Sequence, residues 1–182
     1  MKIQLQNARL AFPKLFKAEQ VNGEGKPAFS CAFLLHADDP QVDAINDMIE
    51  KLAEEKWEKK FKPILAAIRG KDHVCLHNGD TKADLEGYAG NWFINARAYT
   101  KPLILDRDAR TILTEDSGRP YGGCYVNASI ELWAQDNQWG KRINATLRGV
   151  QYRRDGDAFA GGAPATMDEF SDLSEQGETD LA

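Results

Sequence analysis

No apolar run in this 182-residue sequence approaches the roughly 20 residues needed to span a bilayer. The N-terminal Met-Lys-Ile-Gln-Leu-Gln-Asn lacks the continuous apolar stretch of a secretory signal, so the chain is expected to stay in the cytoplasm of the cell that makes it. Cysteine is scarce. Cys31, Cys75 and Cys124 are odd in number and far apart, which argues against a disulfide scaffold and fits a reducing compartment. No glycine-rich phosphate loop ending in Gly-Lys-Ser or Gly-Lys-Thr occurs, which argues against ATP hydrolysis, and no Gly-x-Ser-x-Gly elbow occurs. The paired-cysteine spacings of zinc sites are missing too. His73, Cys75 and His77 share one face of an extended segment, but ligands at that spacing splay along a line, and Cys75 reads as a small buried residue. No metal and no cofactor is expected.

Positive charge is also in deficit, with a formal net charge of −5. The deficit is local. Residues 166–182 hold Asp168, Glu169, Asp172, Glu175, Glu178 and Asp180 and no Lys or Arg; setting those six aside leaves 22 acidic against 23 basic residues. The acidity belongs to the tail, so the total does not exclude a polyanionic partner for the body.

With 42% hydrophobic residues, the chain can bury one core, and its length suits one domain plus a tail. Residues 91–99, Asn-Trp-Phe-Ile-Asn-Ala-Arg-Ala-Tyr, alternate as a strand. Trp92, Ile94, Ala96 and Ala98 form an inward face. Phe93, Asn95, Arg97 and Tyr99 form an outward one, with a guanidinium and an amide between two aromatics. Such a face can stack bases and meet phosphates; the alternative is that Phe93 and Tyr99 pack beneath a second layer. Residues 124–134 repeat the pattern, with Cys124, Val126, Ala128, Ile130 and Leu132 inward and Tyr125, Asn127, Ser129, Glu131 and Trp133 outward. Trp139 stands in a hairpin loop, residues 136–142, beside Lys141 and Arg142, where a core role is hard to find.

Around these, residues 2–12 read as a first strand ended by Pro13, residues 17–27 as a polar glycine-rich loop, and residues 29–35 as a second strand. Asp39-Pro40 starts a helix whose apolar stripe is Val42, Ile45, Ile49 and Leu52, with Lys56, Lys59, Lys60 and Lys62 late in it and a break or restart at Pro63. Lysines there complement the helix dipole. Residues 117–123 form a flexible loop carrying Tyr121 that could close over a bound strand. From about residue 155 the composition turns to a linker. The expected fold class is mainly β with one long helix (α+β). Within it, residues 1–155 form an OB-fold, a five-stranded Greek-key barrel with extra strands and loops, and residues 156–182 a flexible linker and disordered acidic tail.

Three segments carry a resemblance: Gly87-Tyr-Ala-Gly-Asn-Trp-Phe-Ile-Asn-Ala, Tyr121-Gly-Gly-Cys-Tyr-Val-Asn-Ala and Gly149-Val-Gln-Tyr. In them the chain resembles a tailed-phage family of single-stranded-DNA-binding proteins, formerly catalogued as a domain of unknown function and similar in plan to OB-fold replication proteins of short-tailed phages. The resemblance implies a non-enzymatic, sequence-nonspecific binder acting in phage DNA replication or recombination in the host-cell cytoplasm. The candidate DNA-binding residues are Phe93, Arg97, Tyr99, Lys101, Tyr121, Tyr125, Trp133, Trp139, Lys141 and Arg142. The tail resembles those that recruit replication or recombination proteins, with Asp168, Glu169, Phe170, Asp172 and Asp180 as the candidate contacts. It ends Asp180-Leu181-Ala182 and not in the terminal Phe common to such tails. Whether the chain forms a homodimer is left open. Two alternatives stand beside this reading. One is a metal-dependent nuclease using Asp80, Asp84 and Glu86 or Asp106 and Asp108, although carboxylates in turns are ordinary; the other is a virion structural or assembly protein.

An acidic tail on a linker can compete within the molecule for a cationic groove, at an effective concentration on the order of millimolar. Deleting residues 166–182 is therefore expected to tighten binding to poly-dT at low salt. Equal affinities of the full-length and shortened chains would remove the competitor.

Overall fold

The computed structural model describes residues 1–159, 165 and 167–174. Its elements are β1 (Lys2–Val21), β2 (Glu24–His36), α1 (Pro40–Trp57), α2 (Phe61–Gly70), β3 (Leu76–Asn78), β4 (Asn91–Ala98), β5 (Leu103–Leu105), β6 (Tyr125–Asn137) and β7 (Gly140–Arg154).

The first hairpin is longer than its sequence suggests. β1 does not stop at Pro13, and the expected loop over residues 17–27 is strand on both sides of a two-residue turn. Asn22 and Gly23 take positive φ (52° and 72°) between the paired Val21 and Glu24, the geometry that twisted hairpins favour. Pro13 is tolerated because the register with β2 shifts there. Ala11 faces Ala32 and Lys14 faces Ser30, so Phe12 and Pro13 together oppose Cys31. At such a bulge the missing proline N–H leaves no ladder bond unmade.

β1 pairs with β2 and β6, β2 with β4, and β6 with β7, all antiparallel. A single parallel pairing, Arg97 with Thr146, joins β4 to β7 and closes a five-stranded barrel in the order β1-β2-β4-β7-β6. Beside that contact, residues 73–75 are inserted between the two strands. The Cys75 N–H donates to the Ile143 carbonyl (2.9 Å), the Ile143 N–H to the His73 carbonyl (3.1 Å), and the Asn95 N–H to the Cys75 carbonyl (3.1 Å). β3 extends the sheet beside β4, and β5 runs parallel to β7.

Alternation decides what is inside. Leu5, Leu10, Phe33, Ile94, Ile130 and Leu132 are fully buried, and all three cysteines lie in the interior. α1 starts where Asp39 accepts from the Gln41 N–H (2.9 Å), with Pro40 at the first position. Its buried Val42, Ile45, Ile49, Ala53 and Trp57 join the barrel core, and the Trp57 indole donates to Asp136 (2.9 Å). The helix restarts at Phe61, which puts Pro63 in the first turn of α2, where its missing N–H costs nothing.

Residues 79–90 cover part of the barrel's outer face. Tyr88 is buried there with Phe93, Leu34, Ala11 and Ala32, and Leu85 and Phe159 pack against the same cluster. The chain thus keeps contact with the barrel through Phe159, whose N–H donates to the Gly122 carbonyl (3.0 Å). The cover depends on Gly79, where a Cβ would lie 2.0 Å from the Tyr88 carbonyl oxygen and 2.5 Å from that of Asn91. Gly79→Ala is expected to cost about 1–3 kcal/mol in urea unfolding. Gly70→Ala, with open space around the added methyl, should be neutral or slightly stabilising.

Candidate nucleic-acid interface

β4 is the floor of a groove of about 1150 Å³, with β1 and β2 on one side and the β6–β7 hairpin on the other. Four Lys or Arg side chains line it: Lys14, Lys82, Arg97 and Arg142. One acid, Asp72, lines it as well, and that carboxylate is paired with His77. Five aromatics reach it: Phe12, Tyr88, Tyr99, Trp133 and Trp139. Amides fill the spaces between, among them Asn95, Gln135 and Asn144. Cations and π-faces mixed with amides around an open channel are the chemistry a single strand of nucleic acid needs.

Local structure explains the posture of each side chain. The β6–β7 turn is tighter than the expected loop. Asn137 pairs with Gly140, and the Asn137 side chain accepts from the Trp139 N–H (2.9 Å). Gly140 takes φ 106°, which leaves Trp139 at the tip and 78% exposed. Trp133 lies on the outward face of β6, and its indole donates to the Thr146 hydroxyl across the ladder (3.0 Å). This bond fixes the ring plane while leaving a face open. Tyr99 is 55% exposed at the end of β4. Arg97 donates to its hydroxyl (3.3 Å), and the Lys26 ammonium sits 4.5 Å from its ring centroid. The aromatic is thus held between two cations.

Of the residues singled out from sequence, the groove brings together Arg97, Tyr99, Trp133, Trp139 and Arg142. Phe93 needs correction. It is on the outward face of β4, but it is 1% exposed, stacked on His77 (centroids 4.8 Å apart) and tilted against Tyr88 (4.8 Å). The alternation of β4 gives its direction correctly, and the cover from residues 79–90 removes it from solvent. Tyr121 and Tyr125 lie away from the groove lining. The Tyr121 hydroxyl donates to Asp155 (2.8 Å), which ties residues 117–123 to the end of β7, and Arg154 lies over the Tyr125 ring at 3.7 Å. Lys101 is exposed outside the groove, and Lys141 pairs with Asp136 (3.6 Å). In the tail, Asp168 and Glu169 fall in a single helical turn, Phe170 is exposed, and Asp172 accepts from the Ser174 N–H (2.8 Å). Asp180 lies outside the described residues.

Sequence reading missed Phe12, Lys14 and Lys82. Phe12 read only as the last residue of a strand ended by Pro13. Lys82 sits in a stretch without periodicity, and its ammonium lies 5.3 Å from the Phe93 ring centroid.

Three of the five carboxylates considered for metal chemistry have other work. Asp80 accepts from the Gly90 N–H (2.8 Å), Asp106 pairs with Arg119 (2.6 Å), and Asp108 takes the Thr111 N–H and hydroxyl (2.8 and 2.6 Å). These bonds shape turns, and they hold Asp106 and Asp108 below the usual carboxylate range. Among the described residues no three His, Cys, Asp or Glu side chains are grouped to hold a metal ion.

Comparison with known proteins gives a consistent set of similarities. The sequence model of the family described as "Enterobacter phage Enc34, ssDNA-binding protein" matches residues 1–181. A protein of Acyrthosiphon pisum secondary endosymbiont phage 1, named putative protein p50, is 43% identical over 184 residues, covering 100% of this chain and 98% of its own length. The single-stranded DNA-binding protein of bacteriophage Enc34, solved in complex with ssDNA, is similar with a TM-score of 0.73 and 29% identity, covering 87% of this chain and 89% of that one. Gp2.5, a single-stranded DNA-binding protein encoded by bacteriophage T7, shares the fold with a TM-score of 0.58 at 14% identity, over 98% of each chain.

His77 gives the groove wall a pH dependence. Burial lowers the pKa of its imidazole from the ordinary 6.5, and the Asp72 carboxylate offsets part of that. The unfolded chain therefore takes up this proton first as pH falls. The stability held by neutral His77 is complete above about pH 6.5 and is lost as pH drops through 6.5 toward the folded value. The melting temperature of the wild type should fall further between pH 7.5 and 5.5 than that of His77→Phe, which keeps a ring against Phe93. Parallel pH profiles would show that His77 does not contribute.

Proposed function

The chain belongs to the Enterobacter phage Enc34 ssDNA-binding protein family, a family of binding proteins and not of enzymes, and we propose that it lays single-stranded DNA across the β4 groove with little sequence preference. The observation that carries this is the lining itself. In a protein of net charge −5, the groove is lined by four Lys or Arg side chains against one carboxylate, Asp72, with aromatic faces among them. Phosphates would meet Arg97, Arg142 and Lys82, and bases would stack on Trp139, Trp133 and Tyr99. Stacking accepts any base, because every base has a π-face. The hydrogen bonds from Trp133 to Thr146 and from Arg97 to Tyr99 support the reading, since they orient rings before a ligand arrives.

The wider role we propose is coverage of single strands during phage DNA replication or recombination, in the cytoplasm of the infected host. The acidic tail would serve as a competitor for the groove and, once displaced, as a recruiting segment for replication proteins. Its composition supports this: six acids and no Lys or Arg in residues 166–182, against a groove of the opposite sign.

Binding is read by quenching of tryptophan fluorescence on adding poly-dT across a salt series. Trp139→Ala should weaken binding about tenfold, the loss of one stacked base at about 1–3 kcal/mol. Arg97→Ala should weaken it and flatten the slope of log K against log salt by about 0.7, one phosphate contact on a single strand. Wild-type protein that neither quenches nor shifts poly-dT at low salt would refute the reading.

A further inference from the structure

The groove contains an aromatic that backbone physics alone would not place there. Phe12 lies at the β1 bulge with φ 47°, a conformation that costs a bulky L-residue energy and is rarely kept without a reason. Its ring is not hidden to compensate. It is 58% exposed and lines the groove, with its centroid 6.2 Å from that of Tyr88 in a tilted arrangement. Tyr88 is packed on Phe93, and Phe93 on His77, so Phe12 rests on a rigid buried stack with its outer face free. Lys14, two residues on from Phe12, lines the groove and is paired with Glu19 (3.1 Å), and Lys82 lines it near Phe93.

Strand order places Phe12 relative to the other exposed aromatics. Around the barrel wall the groove runs from β1 through β2, β4 and β7 to β6. Phe12 is on the β1 side, and Trp133 and Trp139 are on the β6 side. Along the groove β2, β4 and β7 lie between the two sides, while β1 and β6 are direct neighbours only on the opposite part of the closed barrel.

We propose that Phe12, seated on Tyr88 and two residues from Lys14, is a nucleobase-stacking subsite on the β1 side of the groove, so that a bound single strand spans the groove from the Trp133–Trp139 side to Phe12. The proposal rests on the single-stranded-DNA reading above and adds an end point to it. The bulge holds the ring outward and Tyr88 fixes its back face. A base arriving there meets an immobile platform, and its phosphate lies within reach of a lysine.

Full-length protein titrated with oligo-dT of about 4 to 16 nucleotides tests this, since single OB folds occupy sites in that range. Phe12→Asn is the variant of choice because asparagine tolerates positive φ and so relieves the strain. It should melt at or above the wild-type temperature, yet bind the longer oligonucleotides about tenfold more weakly and lose little on the shortest. Phe12→Trp should keep wild-type affinity and add fluorescence quenching. Ultraviolet crosslinking of the wild type to oligo-dT should label the peptide containing Phe12 as well as the one containing Trp139. Wild-type affinity of Phe12→Asn at every length, or crosslinks at Trp139 with none at Phe12, would overturn the subsite and leave the groove reading intact. Failure of the wild type to bind at any length would overturn both.

Discussion

Closure of the barrel between β4 and β7 is the constraint on which the rest depends. These strands meet directly at one parallel pair, Arg97 with Thr146, and diverge beyond it. The backbone of residues 73–75 fills the divergence and takes its hydrogen bonds from both sides. Buried amides left unpaired along that seam would each cost about 1–3 kcal/mol, so the insertion is as much a part of the barrel as any strand. It also explains His73, Cys75 and His77. Their spacing suits a row of metal ligands poorly, and in the fold this segment carries a main chain through the seam, with the Cys75 side chain inward and His77 stacked on Phe93. Because the seam lies under the groove, the same closure sets the spacing between the floor and the β6–β7 wall.

What was legible in the sequence follows physical lines. The inward and outward faces of β6 could be read because one side meets the core and the other does not, and the period of two survives in the residue types. The start of α1 could be read because Asp39-Pro40 solves a local problem, the unpaired N–H groups of the first turn. Features that depend on distant segments could not be read. Phe93 has the right direction, but its burial is decided by Tyr88 and by Gly79, whose missing side chain lets residues 79–90 close down. Pro13 argued for a strand end, and a bulge whose existence depends on register with β2 overruled it. Asn22-Gly23 was a strong hairpin signal that the surrounding glycines and charges obscured. In the candidate interface, residues exposed by their own strand or turn (Arg97, Tyr99, Trp133, Trp139) were identifiable. Phe12 and Lys82 needed the fold.

Charge is divided between two places in this chain. The groove draws its cations from four separate elements, β1, the segment before β4, β4 itself and β7, so no local run of basic residues marks it. The net negative charge, by contrast, comes from residues 166–182, with six acids and no Lys or Arg. Field focusing in a cleft depends on which side chains share its walls and not on the total, so a protein of net charge −5 can still present an attractive channel to a polyanion.

β1 also has a consequence for the order of events in synthesis. Its first residues pair with β6, Lys2 opposite Glu131, so the N-terminal strand must wait for a partner about 110 residues beyond its own end at Val21. At translation speeds of about 5–20 residues per second that wait is roughly 5–20 s. Throughout it, the β1–β2 hairpin can form locally, but its outer edge is an open template for other strands. The bulge at Phe12-Pro13 bends β1 just beyond the stretch that waits for β6, and Pro13 offers no N–H to a passing strand. The feature that turns a ring toward the groove in the finished protein also limits the edge that lies exposed on the ribosome.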